Sequence, residues 1–98
     1  MNIQAMMKQA QKLQKDMMNA KNEIDEMTFT GKSSFVTVEV NGKKEILKVT
    51  IDSDHLDKED IEMVEDMIMV ATNDAMKQVD KVTEDKLGKY TQGMPGLF

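Results

Sequence analysis

The first quarter of the chain repeats apolar residues at alternating intervals of three and four positions. The repeat, called the seam below, consists of Ile3, Met6, Ala10, Leu13, Met17, Ala20, Ile24 and Met27. This spacing places its members on one face of an α-helix, at the a and d positions of a coiled coil. No glycine or proline interrupts the repeat. We therefore predict a helix from about residue 2 or 3 to residue 26.

The predicted first helix is long compared with a domain of this size. About 25 helical residues span roughly 40 Å, whereas a compact domain of this size has a radius of gyration of about 13 Å. The helix should therefore overhang the rest of the domain, where the last helix or a second chain must cover its apolar face. We expect Met6, Leu13, Met17 and Ile24 to lie in the core or in a dimer contact.

The middle of the chain alternates apolar and polar residues with the period of two that is typical of β-strands. The alternating residues are Val36, Val38 and Val40 in segment 34–40 and Leu47, Val49 and Ile51 in segment 43–51. Asn41 and Gly42 stand between the two segments and form the pair that two-residue type I′ turns prefer. We predict a β-hairpin with such a turn, and a short strand at 28–31 as a third member of the sheet.

A second helical stripe follows the strands. It consists of Ile61, Val64, Ile68, Ala71, Ala75, Val79 and Val82. Asp57 is the predicted N-cap, and Glu59 and Asp60 fall in the first turn, where the helix dipole favours negative charge. We predict that the helix runs to about residue 87 and that Gly88 ends it. The glycine- and proline-containing tail from residue 90 is predicted to be irregular.

The net charge of −5 is unevenly distributed along the chain. Residues 52–66 contain eight acidic side chains and one lysine, whereas residues 1–22 contain four lysines and one aspartate. Within the first helix, Lys8, Lys12 and Lys15 lie on the face opposite the seam. We call these three residues the lysine ridge. The ridge is interpreted either as a surface for a polyanion or as an ordinary solvated helix face.

The chain lacks the residues that most enzyme and metal sites require. It has no cysteine, and His55 is its single histidine, so one copy cannot assemble a zinc site of the usual kind. The segment from Asp52 fails as an EF-hand loop, because Asp57 stands where glycine is needed and Met63 where glutamate is needed. No glycine-rich phosphate loop and no serine nucleophile motif are found. We expect no enzymatic activity, no metal, no cofactor and no small-molecule substrate.

Length and hydropathy also bear on organisation and location. Ninety-eight residues are expected to form one domain, 1–98, with a thin core that a second subunit would help to stabilise. Lysine and glutamine break up the first twenty residues, which argues against a secretory leader. No apolar run approaches the roughly 20 residues of a membrane span. We therefore expect a cytoplasmic protein without a membrane partner.

Several stretches of the sequence resemble the YbaB/EbfC family of small bacterial nucleoid-associated proteins. They are "MKQAQKLQKDM" at 7–17, "VEVNGKKEILKVTID" at 38–52, "MVEDMIMVATNDAMKQV" at 63–79 and the "GMPG" tail. The M-K-Q-A-Q run and the A-x-N-D-A element at 71–75 are the most specific of these. The resemblance implies an α+β fold of order α-β-β-β-α, with long terminal helices and a small antiparallel sheet. It also implies a two-fold homodimer with sheets joined across the dimer and long helices projecting from it.

Two features depart from the family pattern. Where relatives often carry a glycine-rich stretch after the Thr30–Gly31 pair, this chain has Lys32, Ser33 and Ser34 before Phe35. The conformation of that loop is therefore not predicted. All thirteen basic residues are lysines, whereas many relatives carry some arginine.

The resemblance implies that the protein binds double-stranded DNA, organises the nucleoid and affects gene expression. The lysine ridge then becomes a phosphate-contacting surface, and the positions of Lys86 and Lys89 near the end of the last helix suggest an extension of it. Because arginine is the residue best suited to bidentate readout of guanine, a chain without arginine is expected to bind with little sequence specificity. The alternative is a protein-binding adaptor that uses the seam and methionine-rich helix faces, since the chain has eleven methionines.

Overall fold

The computed structural model describes residues 2–91, with Thr91 described in its backbone only. The elements are α1 (Ile3–Glu26), β1 (Thr28–Ser33), β2 (Val36–Asn41), β3 (Ile46–Ile51), a single 3₁₀ turn (Lys58–Asp60) and α2 (Ile61–Thr91). This α-β-β-β-α order confirms the predicted α+β class, the long terminal helices and the third strand. The tail that was predicted to be irregular lies, from residue 92 onward, outside the described residues.

The core lies between α2 and one face of an antiparallel sheet of order β1-β2-β3. Val36, Val38 and Val40 of the central strand are completely buried, which agrees with the predicted alternation. Phe29 of β1 and the α2 residues Ala71, Ala75 and Val79 complete the buried cluster. Each buried valine contributes about 1.5–3 kcal/mol relative to an exposed one. This contact fixes the position of α2 on the sheet.

Small residues bring α2 unusually close to β1. A Cβ atom added to Gly31 would collide with the Ala71 carbonyl and lie 2.7 Å from the Ala75 nitrogen. At this distance two α2 side chains reach the outer edge of the strand. The Lys32 backbone N–H donates to Asp74 Oδ2 (3.4 Å), and Gln78 Nε2 donates to a carbonyl of β1 (2.8 Å). The A-x-N-D-A element therefore holds α2 against β1.

The connection between β2 and β3 differs from the predicted two-residue turn. It contains Gly42, Lys43 and Lys44, and the Lys44 N–H donates to the Asn41 carbonyl (3.0 Å) with a Lys44 φ of 64°. This is a three-residue loop with a left-handed third residue, the next most common hairpin type. Gly42 is needed for another reason, since a Cβ there would collide with the Ile24 carbonyl. The glycine lets α1 end against the loop.

Two further details correct the sequence predictions. Val40 pairs with Ile46, whereas Val38 pairs with Val49, so β3 bulges at Leu47. Ile46, and not Leu47 as predicted, therefore shares a face of the sheet with Val49 and Ile51. In addition, α2 continues through Gly88 to Thr91. An interior helical glycine costs about 1 kcal/mol, and the burial of Leu87, at 3% exposure, offsets that cost.

The unpredicted loop after β1 is a two-residue turn. Ser33 pairs with Val36, leaving Ser34 and Phe35 at the tip. Ser34 has a φ of 53°, a left-handed conformation that a serine adopts at some cost and a glycine adopts freely. The turn therefore has the geometry that a glycine would favour.

Candidate nucleic-acid interface

The first half of α1 is free of contacts that bury side chains. Every residue from 2 to 15 is exposed, and we call residues 3–15 the arm. Leu13 is 52% exposed in the arm, whereas Ile24 near the end of the same helix is 2% exposed. The seam therefore divides into an unburied half and a half that joins α2 and the sheet.

The predicted seam residues fall on both sides of this division. Met6 and Leu13 are exposed, Met17 is half-buried and Ile24 is buried. Only the second half of the seam is thus covered within one chain. The apolar face of the arm is open.

The overall dimensions agree with a projecting arm. The molecule measures 72 × 21 × 14 Å along its principal axes. Its longest helix, α2, has 31 residues and spans about 46 Å. Since every residue of α1 up to Lys15 is exposed, a length of 72 Å agrees with an α1 that projects past the region where the two helices overlap. The predicted overhang is confirmed.

The lysine ridge lies on this arm. Lys8, Lys12 and Lys15 are exposed, and their spacing of four and three residues distributes them over about 10 Å of one helix face. The arm contains no acidic residue. Within residues 2–91, none of the three ammonium groups has a carboxylate partner. The ridge is therefore a compact, uncompensated positive surface.

Lys86 and Lys89 lie on a different helix, in the last two turns of α2, and both are exposed. The Lys89 Nζ lies 5.0 Å from the centre of the Tyr90 ring, a distance that permits a cation–π contact. Glu84 and Asp85 immediately precede this pair, so the local charge balances. These two lysines form a weaker anion site than the ridge.

The acidic segment occupies another part of the molecule. Residues 52–59 are exposed and lead into the start of α2. The Asp57 N–H donates to Asp60 Oδ2 (3.0 Å), which fixes the entry to the helix. A shallow recess of about 150 Å³ lies here, lined by Leu56, Asp57, Asp60, Ile61, Val64 and Glu65. Its carboxylates would repel phosphate.

Between residues 2 and 91, no three histidine, aspartate or glutamate side chains come together as a metal site would require. Neither helix in that range is both long and apolar enough to cross a bilayer.

The two edges of the sheet are unlike each other. At the edge of β1, Asp74 and Gln78 bond two backbone groups, as described above. All six residues of β3 are exposed, including the apolar side chains of Ile46, Val49 and Ile51. Sequence reasoning missed this asymmetry, although the polar residues of the A-x-N-D-A element, which lie beside the buried α2 stripe, were a signal of it. An exposed apolar edge strand is a surface for pairing with another chain.

Comparison with known proteins gives a consistent result. The model of the YbaB/EbfC DNA-binding family matches residues 1–94. A nucleoid-associated protein of Lactococcus lactis subsp. cremoris (strain MG1363) is 52% identical, over 97% of this chain and 98% of its own length. Nucleoid-associated proteins of Oceanobacillus iheyensis and Bacillus licheniformis are 48% and 50% identical, over 99% of this chain and 97% and 94% of their own lengths. The chain belongs to the YbaB/EbfC DNA-binding family.

Proposed function

We propose that this protein is a nucleoid-associated homodimer that binds double-stranded DNA with little sequence specificity. The 98 residues act as one domain, and each arm applies its lysine ridge to the phosphate backbone. The observation that carries the proposal is the position of Lys8, Lys12 and Lys15 on an exposed arm without a single acid. Phosphates respond to such local patches even when the net charge of the protein is negative.

The absence of arginine supports low specificity. Lysine contacts phosphate as a point charge, whereas bidentate readout of a guanine edge requires the planar guanidinium fork. Contacts of this kind position the protein on the duplex without reading its bases. Any preference among sequences then comes from the shape of the DNA.

The uncovered β3 supports a dimer. A second copy that meets β3 would cover Ile46, Val49 and Ile51 and pair the free backbone groups of the strand. The opposite edge is already occupied by α2 side chains. A two-fold arrangement through β3 gives each dimer two arms and six ridge lysines.

The cellular role follows from the binding mode. Proteins that coat DNA through phosphate contacts constrain the chromosome and change access to promoters. We therefore place the protein in the cytoplasm at the nucleoid, with a role in nucleoid organisation and gene regulation, and with DNA and a second copy as its partners. The relatives named above are called nucleoid-associated.

A salt titration of binding to unrelated duplexes tests the proposal. If a dimer neutralises six phosphates, log K should fall with log salt with a slope of about −5. The slope should be the same for duplexes of different sequence. Binding that is insensitive to salt, or absent, would contradict the proposal.

One observation favours the second candidate, a protein-binding adaptor. The arm exposes Ile3, Met6, Met7 and Leu13, an apolar face suited to a partner helix. An adaptor would show no steep salt dependence with DNA. The titration therefore separates the two functions.

A further inference from the structure

The arm has two faces of opposite chemistry, and the DNA-binding proposal uses only one of them. Ile3, Met6, Ala10 and Leu13 occupy the a and d positions of the heptad, and all four are exposed. The ridge lysines occupy positions c and f on the other side of the helix. The apolar face is therefore left open while DNA is bound.

The flanks of the apolar face show which partner fits it. The e and g positions of the arm are Met7, Gln9 and Gln14, none of which is charged. When two identical helices pair, residues at e and g lie next to the partner helix, and like charges there would repel. This arm brings no such charges together. A second copy of the same arm thus meets no like charge at the contact itself, and its heptad spacing matches by identity.

We propose that the arms of two copies pair through their seams and that the protein thereby bridges two DNA duplexes. In such a pair the helix axes lie about 8–10 Å apart, and the two lysine ridges face outward on opposite sides. Each ridge is then free to follow the backbone of a separate duplex. This inference rests on the proposed DNA binding, and it adds that two paired copies hold two duplexes together.

The short arm sets the conditions under which pairing occurs. Thirteen residues make fewer than two heptads, so two paired arms bury few apolar side chains and their contact is weak by itself. Tethering raises the effective concentration of a weak contact by orders of magnitude. Binding of several copies along the same DNA supplies such tethering. Arm pairing is therefore expected on DNA rather than in dilute free protein.

A two-duplex capture experiment tests bridging. One biotin-labelled duplex is immobilised, the protein is added, and recovery of a fluorescent duplex of unrelated sequence is measured. The wild-type protein should recover the second duplex. The double variant Met6→Gln with Leu13→Gln should bind the immobilised duplex with an unchanged salt slope but lose recovery of the second. Because both side chains are exposed, this variant should fold normally, which circular dichroism checks.

The outcomes distinguish this inference from the function it rests on. Failure to bind even one duplex would overturn the proposed function. Binding of one duplex without capture of the second by the wild-type protein would overturn bridging alone. Capture that persists in the seam variant would show that the arms do not pair through the seam, and would also overturn the inference.

Cysteine cross-linking provides a second, direct readout, since the chain has no cysteine of its own. Met6→Cys and Leu13→Cys variants place the thiol on the seam, whereas Gln4→Cys and Gln11→Cys place it at b positions, outside the seam and its flanks. With DNA present, mild oxidation should link the seam variants more than the b-position variants. Each seam variant is tested alone and mixed with the other, so that both parallel and antiparallel pairs are detected. Equal linking at the seam and at the b positions would contradict arm pairing.

Discussion

The side-chain amide of Gln78 donates a 2.8 Å hydrogen bond to the backbone carbonyl of Thr30 and thereby closes one edge of the sheet. Asp74, one turn earlier on the same helix, accepts from the Lys32 N–H on that edge. Nothing comparable covers β3 among residues 2–91. The two edges thus differ, because α2 side chains already bond two backbone groups of β1, which makes β3 the more accessible edge for a second copy.

Gly31→Ala should destabilise the fold strongly. The added Cβ would collide with the backbone of α2 at Ala71, so the helix must move away from the sheet. Overpacking of this kind typically costs about 1–3 kcal/mol, and displacement of Asp74 and Gln78 from the strand edge adds to it. Urea denaturation measures the change in the free energy of unfolding.

Gly88→Ala is the matched control for that substitution. A Cβ at this helical position meets no heavy atom within 4 Å. Since alanine favours a helix interior by about 1 kcal/mol over glycine, this variant should be more stable than wild type. Equal losses in both variants would show that close packing at Gly31 is not the cause.

Asp74→Ala should lower the free energy of unfolding by about 0.5–1.5 kcal/mol, the usual value of one hydrogen bond. The substitution removes the acceptor for the Lys32 N–H and leaves part of the β1 edge unpaired. Asn73→Ala is the control, because Asn73 is exposed on the same turn of α2. If the two variants unfold at the same urea concentration, the strand-edge contact contributes nothing to stability.

Val49→Lys combined with Ile51→Lys should convert the proposed dimer to a monomer. Both side chains are exposed in the single chain, so the charges disturb a contact with a second copy rather than the core. Thr50→Lys, on the opposite face of the same strand, is the control for added charge. Sedimentation measures the mass of each variant. A double variant that remains dimeric would place the interface elsewhere.

Changing Lys8, Lys12 and Lys15 together to glutamine should weaken binding to every duplex alike and flatten the salt slope. Glutamine keeps the helix propensity nearly constant while it removes the charge. The control replaces Lys58, Lys77 and Lys81, which are also exposed, and changes the net charge by the same amount. If the two triple variants lose equal affinity, the long-range field, not the ridge, accounts for binding.

Neutralising part of the acidic segment should strengthen DNA binding, whereas neutralising the ridge should weaken it. Asp54→Asn with Glu62→Gln and Glu65→Gln removes repulsion between this region and phosphate without removing the contact between Asp57 and Asp60. Affinity should rise modestly, while the salt slope stays the same because no phosphate contact is added. Loss of binding with the fold intact would show that these acids have another role.

Local pattern was sufficient where one element alone decides the result. The spacing of the seam was sufficient to predict α1 and its overhang. Intervals of three and four residues without glycine or proline fit only one regular structure, the α-helix. The alternation around Val38 determined β2, because its side chains must enter the core on one face. The ridge was likewise visible in the sequence, because helical spacing alone places Lys8, Lys12 and Lys15 together.

Tertiary structure decided what depends on two distant segments. The pair Asn41–Gly42 suggested a tight turn, but Gly42 is required by the close approach of Ile24, eighteen residues earlier in the chain. Gly88 suggested a helix end, but the burial of Leu87 carries α2 onward. The open edge at β3 and the open half of the seam were also set by contacts. The period of the apolar pattern places a side chain on one face of a helix or strand. Only packing between elements decides whether that face is covered.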